Sequence, residues 1–149
     1  MTKENKVISE DFVKDSIIKW LSCNSWGYFK FDKLHTHGVD IRARAVKYSR
    51  YFYIETKGQG KLKQSNEVAF IYSLGQIITR MKDDKSTINN YALGLPENSA
   101  KIAIRRLPWQ VAKKLHLCIL SVDDNGEVTQ YKWKDFRDSR KWRDYHNPQ

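Results

Sequence analysis

Asp40 and the Glu55-Thr56-Lys57 tripeptide are the residues of this chain best equipped for chemistry. Asp40 ends Gly38-Val39-Asp40 and opens an alternating run to Ala45, while Glu55 and Lys57 sit in Tyr53-Ile54-Glu55-Thr56-Lys57-Gly58. Two carboxylates and an ammonium on one sheet face are the parts needed to hold a divalent metal beside a phosphodiester. Hard oxygens take the ion, and the lysine offers a compact positive charge.

Strand periodicity makes that grouping testable. Side chains alternate between faces, so Tyr53, Glu55 and Lys57 share one face of the second arm, and Asp40, Arg42 and Arg44 share one face of the first. With a turn in Lys47-Tyr48-Ser49-Arg50, pairing Val46 with Tyr51 sets Arg42 opposite Glu55 and Asp40 opposite Lys57. Asp40 is then diagonal to Glu55 at roughly 7–8 Å. A one-residue slip would expose Val39 and Ile41 and is disfavoured by burial of the apolar face.

Acid-x-Lys alone says little, because Glu4-Asn5-Lys6 and Asp83-Asp84-Lys85 fit it too. Only Glu55 lies in an apolar strand with a partner aspartate upstream and a glycine after the lysine. The alternative reading is a solvent-facing hairpin with an Asp40–Lys57 pair and an Arg42–Glu55 pair.

The elements that position these groups follow from pattern. Ser9 to Cys23 is predicted helical, with Ser9 as N-cap and Phe12, Ile17, Ile18 and Leu21 as its apolar stripe. Strands are expected at Trp26–Phe31, Val39–Ala45 and Tyr51–Lys57, the last followed by a basic turn from Gly58 to Lys63. A long helix begins near Ser65, its apolar side formed by Val68, Phe70, Ile71, Leu74, Ile77, Ile78 and Met81. Asn90–Leu95 reads as a strand stopped by Pro96. Ala100–Leu115 reads as a helix open to interruption at Pro108. His116–Val122 and Val128–Trp133 form two arms around Asp123-Asp124-Asn125-Gly126. A basic, weakly helical tail runs from Lys134 to Tyr145. The expectation is an α/β (α+β) protein: a mixed central sheet flanked by helices.

With 149 residues, 40% of them hydrophobic, the chain suits one domain over 1–149 with a real core. A formal net charge of +10 points to a polyanionic partner. The charged start, Met1 to Lys6, precedes no apolar signal region, and no apolar run is long enough for a bilayer, so no membrane association is expected. Cys23 and Cys118 read as reduced core thiols of a cytoplasmic protein.

The order of elements, with Asp40 on the second strand and Glu55-Thr56-Lys57 on the third, resembles the PD-(D/E)XK, or restriction-endonuclease-like, superfamily. The resemblance covers about residues 9–97 and implies an α-β-β-β-α-β core, with an α-β-β extension over about 98–149. Many members add an acid on the first helix, where Glu10 is nearest, and a Gln-x-x-x-Tyr on the helix after the lysine. Here Gln76 is present but Arg80 replaces the tyrosine, and Val39 stands where a proline often precedes the aspartate.

What the resemblance implies is an endonuclease of restriction, repair or recombination type, dependent on Mg²⁺ or Mn²⁺. DNA is the expected substrate, RNA the other candidate, and a homodimer the arrangement used by many relatives that cut both strands. Asp40 and Glu55 would ligate the metal with the Thr56 carbonyl. Lys57 would orient the attacking water and stabilise developing charge. Glu10 would serve a second ion or a water, and Gln76 would bond the site or the substrate, or be an ordinary polar residue of the helix. Arg42, Arg44, Lys61 and Lys63 are the expected backbone-phosphate contacts. His35 and His37 lack companions for a zinc site. In the tail, bases alternate with Trp133, Phe136 and Trp142, as nucleic-acid contact or as an amphipathic segment on the core. The competing classes are a non-catalytic nucleic-acid-binding module and a basic protein-interaction domain.

Overall fold

The computed structural model describes residues 7–31, 40–47, 50–59, 63–81 and 89–138, with the side chains of 28–31, 63 and 64 outside that description. The elements are α1 (Glu10–Cys23), β1 (Trp26–Phe31), β2 (Ile41–Ala45), β3 (Tyr51–Thr56), α2 (Lys63–Thr79), β4 (Asn89–Pro96), α3 (Glu97–Arg106), α4 (Trp109–Leu115), β5 (Leu117–Val122) and β6 (Val128–Tyr131). A further helical stretch covers 133–138.

The six strands form one mixed sheet in the order β1-β2-β3-β4-β5-β6. β3, β4 and β5 run parallel, and the outer pairings are antiparallel. The fold is therefore α+β with a mixed sheet between helices. The extension differs from the expected α-β-β: it carries two helices, because Pro108 cannot donate into a continuing helix and instead caps α4 at φ −62°.

Each face of the sheet has its own core. On one side α1 buries Val13, Ile17 and Leu21, spaced at i and i+4, against Ile41, Ala43, Phe52, Ile54, Ala92, Cys118 and Leu120. Its start is capped by Ser9, whose Oγ accepts from Phe12 N–H at 3.1 Å. Gly94 lets α1 come close, since a Cβ there would collide with Ile17 Cδ1. On the other side Tyr53, Tyr91, Leu93, Leu95 and Ile119 pack with α2, α3 and α4, and Phe136 of the tail is fully buried among them. The apolar role of the tail aromatics thus holds for Phe136 and for Trp133, which stacks on Trp109 at 5.7 Å. Trp142 lies outside the described residues.

Two expectations about burial need correction. The buried stripe of α2 is Asn66, Phe70, Ser73 and Ile77, at helical spacing, and Val68, Ile71 and Ile78 are exposed. Polar side chains occupy half of that stripe; Ser73 satisfies its hydroxyl on the Phe70 carbonyl at 3.0 Å, so its polarity concealed its position. Cys23 is likewise exposed at the end of α1, and only Cys118 is in the core. Among the described residues no helix is long and apolar enough to cross a membrane.

Candidate active site

β3 is covered on both sides. From Phe52 to Thr56 every residue is buried, so its polar groups require specific partners. Those partners differ from the ones expected. Arg42 pairs with Tyr53 and Ile41 with Ile54, which places Asp40, one residue earlier, opposite Glu55 rather than Lys57. The register differs by two residues because Ala45 N–H bonds the Arg50 carbonyl at 2.9 Å, while Val46 N–H turns to Ser25 of the neighbouring strand connection at 3.1 Å. A shift of two preserves the face, so Asp40 and Glu55 still converge, and more directly than on the diagonal.

Asp40 is anchored by Thr56: its Oδ2 accepts from the Thr56 N–H at 2.8 Å and from Thr56 Oγ1 at 3.1 Å. Glu55 is 2% exposed. Burial raises its pKa to about 7; the Asp40 charge adds to the rise, and the Arg80 charge and hydrogen bond oppose it. The Arg80 guanidinium donates to Glu55 Oε2 in an ion pair. Arg80 is the site residue that the expectations missed. The signal was available: Tyr72, Gln76 and Arg80 are spaced by four, one face of a helix.

That stripe lies along β3. Lys57 Nζ stands 4.8 Å over the Tyr72 ring, and Arg80 meets Glu55, so Gln76 falls between the two contacts on the same face. The Gln76 Oε1 is buried with no hydrogen-bond partner. The expected Arg42–Glu55 pair does not form: Arg42 lies over the Tyr51 and Tyr53 rings at 5.0 and 5.7 Å. Arg44 is exposed on the same strand. Lys63 begins α2 instead of sitting in a turn, and Lys61, His35 and His37 lie outside the described residues.

Glu10 is exposed on the first turn of α1, and its backbone lies against Gly58, one residue beyond Lys57. The segment after Lys57 packs there: Gln59 N–H bonds the Ile8 carbonyl at 2.7 Å and Gln59 Oε1 accepts from Ile8 N–H at 3.1 Å. Gly58 permits the approach, since a Cβ would stand 2.5 Å from Glu10 N. Among the described residues no group of three or more His, Cys, Asp and Glu could hold a metal, which leaves Asp40 and Glu55 as a two-carboxylate pair. Such a pair suits Mg²⁺, which is commonly held by one or two carboxylates with water and phosphate oxygens completing its shell. No family model matches the chain, and neither do the curated proteins or the solved structures.

Proposed function

We propose that this chain is a Mg²⁺-dependent nuclease of the PD-(D/E)XK type that hydrolyses phosphodiester bonds in DNA. The observation that supports it is the Asp40–Glu55 pair: two carboxylates brought together at the end of a buried strand, where like charges repel and Glu55 binds its proton at about pH 7. A divalent cation relieves that repulsion, and burial strengthens its attraction to both groups. Asp40, Glu55 and the Thr56 carbonyl are the residues that would hold the ion. When bound, Mg²⁺ supplies a Lewis acid for the phosphoryl oxygen and acidifies a water.

The remaining work belongs to the chain itself. Lys57, on the face of Glu55 and one strand repeat further, orients the attacking water and offsets charge developing on the phosphate. Thr56 fixes the Asp40 carboxylate through two hydrogen bonds. Arg80 neutralises Glu55, and Gln76 offers an unused acceptor beside them. Arg44 and the net charge of +10 supply long-range attraction to a polyanion.

One observation favours a second reading, a nucleic-acid-binding module without turnover: Arg80 already gives Glu55 a counter-ion. Plasmid, linear and branched DNA incubated with the protein in Mg²⁺, Mn²⁺ or EDTA separates the two. Metal-dependent nicking that disappears in Asp40→Asn and Lys57→Ala supports the nuclease. Salt-sensitive DNA binding with no cutting in either metal supports the module. Cutting by both variants at the parent's rate would remove these residues from the site.

A further inference from the structure

A cavity of about 590 Å³ opens at the other end of the sheet, where β3, β4 and β5 begin. Its walls come from the end of α1, the starts of β1 and β3, the α4–β5 junction and the residues after β6. The volume falls within the roughly 300–1,000 Å³ usual for small-molecule sites. The amino-terminal half and the carboxy-terminal extension build it together.

Its chemistry is one-sided. Arg50, Lys113 and Lys132 line it, and no acidic side chain does. Among the described residues none of the three is ion-paired. Lys113 Nζ is held 4.6 Å over the Trp133 ring, which fixes one ammonium at the rim. Trp20 and Trp26, both half-buried, supply aromatic wall, and Trp26 leans on Phe52 at 59° rather than stacking flat. Asn90 adds an amide that can both donate and accept. Cys118 contributes only bulk, because burial pushes its thiol up to about 11 and Gln130 Nε2 donates to its sulfur at 3.5 Å. A cavity that stays empty of water is lined by apolar groups; this one joins three cations to aromatic surface and so suits a polar occupant.

We propose that this cavity binds an unpaired nucleotide, a flat base against the tryptophans with its phosphate on the lysines and Arg50. Cations alone would accept any anion, and aromatic walls alone any apolar ring. Their combination selects a ligand that has both. The assignment does not depend on phosphodiester cleavage, because Asp40 and Glu55 lie at the opposite end of the strands.

Isothermal titration of the full chain with AMP, GMP, CMP and dTMP, and with the hexanucleotide d(T)₆, tests it. Ribose 5-phosphate and inorganic phosphate serve as baseless probes. Saturable binding of a mononucleotide or of d(T)₆ is expected, with the baseless probes weaker by roughly tenfold or more. Tighter binding of d(T)₆ than of every mononucleotide identifies a strand as the source; the reverse identifies a free nucleotide. Lys113→Ala combined with Lys132→Ala should weaken binding by roughly tenfold or more, with the circular dichroism spectrum retained because both side chains are exposed. Lys101→Ala, which removes an exposed cation of α3 outside the cavity, should leave the affinity unchanged. The proposal is overturned if no nucleotide binds, if ribose 5-phosphate binds as tightly, if the double lysine variant keeps its affinity, or if Lys101→Ala loses it.

Discussion

Arg80, one residue beyond the end of α2, donates to the buried carboxylate of Glu55 near the end of β3. The two side chains are 27% and 2% exposed, so water screens their pairing only in part. Arg80→Ala leaves Glu55 beside Asp40 with no cation. Glu55 escapes part of the cost by taking up a proton, so the loss depends on pH. A destabilisation of about 1–3 kcal/mol is expected at pH 8, and much less at pH 5. Urea unfolding at the two pH values measures it; an equal loss at both would show that the pair does not matter.

Glu55 also sets a direction for the pH dependence of the parent protein. Its folded pKa of about 7 lies above the ordinary 4.5, so the native state holds the proton more tightly than the unfolded chain. The stabilisation is complete below pH 4.5 and lost as pH rises through 7. At ~1.4 kcal/mol per pH unit the span corresponds to about 3 kcal/mol. Relative to Glu55→Gln, which cannot titrate, the parent should lose up to that amount between pH 4.5 and 8. Millimolar Mg²⁺ should restore part of it at pH 8 if the carboxylate pair takes the ion. Parallel stability curves for parent and variant would contradict the assignment.

Asp40 combines two tasks that substitution can divide. Asp40→Ala removes the acceptor of the Thr56 N–H and hydroxyl, and an orphaned buried donor costs about 1–3 kcal/mol. Asp40→Asn keeps an oxygen in place and removes the charge. It should retain most of the stability, lower the pKa of Glu55 by relieving repulsion, and abolish metal-dependent cutting. Carboxylate titration followed by NMR reads the Glu55 change; a Glu55 pKa still near 7 in Asp40→Asn would exclude Asp40 as a cause.

Gly58→Ala tests the join between the site and α1. The new methyl would meet Glu10 N at 2.5 Å and the Ser9 carbonyl carbon at 3.0 Å. These are backbone atoms that cannot swing aside. A loss of about 1–3 kcal/mol is expected, with faster amide exchange at Gln59, whose N–H bonds Ile8. Unchanged exchange at Gln59 would show that the contact is dispensable.

The sequence was most legible where one period governs. Trp26–Phe31 was foreseen to the residue, and the Ser9 cap and the faces of β2 and β3 follow from local spacing. Pairing register was not legible, because Val46 leaves β2 for Ser25, a contact fixed by a different part of the chain. Parity survived that shift of two, which is why Asp40 and Glu55 were still brought together. Arg80 was misjudged for a related reason. Against the family's tyrosine it reads as a departure, whereas in the fold Arg80, four residues along the helix stripe from Gln76, meets the buried carboxylate of Glu55 on β3. Glu10 stands at the helix start that the pattern predicts, with its backbone against Gly58.

Lys57 is joined to the sheet through its backbone and touches the rest of the fold only lightly through its side chain. Its N–H bonds the Gly94 carbonyl at 3.1 Å, and its ammonium rests against the exposed ring of Tyr72. Asp40, Glu55 and Arg80 are each both scaffold and candidate chemistry, so damage at any of them confounds the two. Lys57 is therefore the position where the proposed reactivity separates from the fold: a genetic lesion there would remove only an exposed cation–π contact from the structure, and a phenotype with the protein at normal abundance would report on the proposed chemistry.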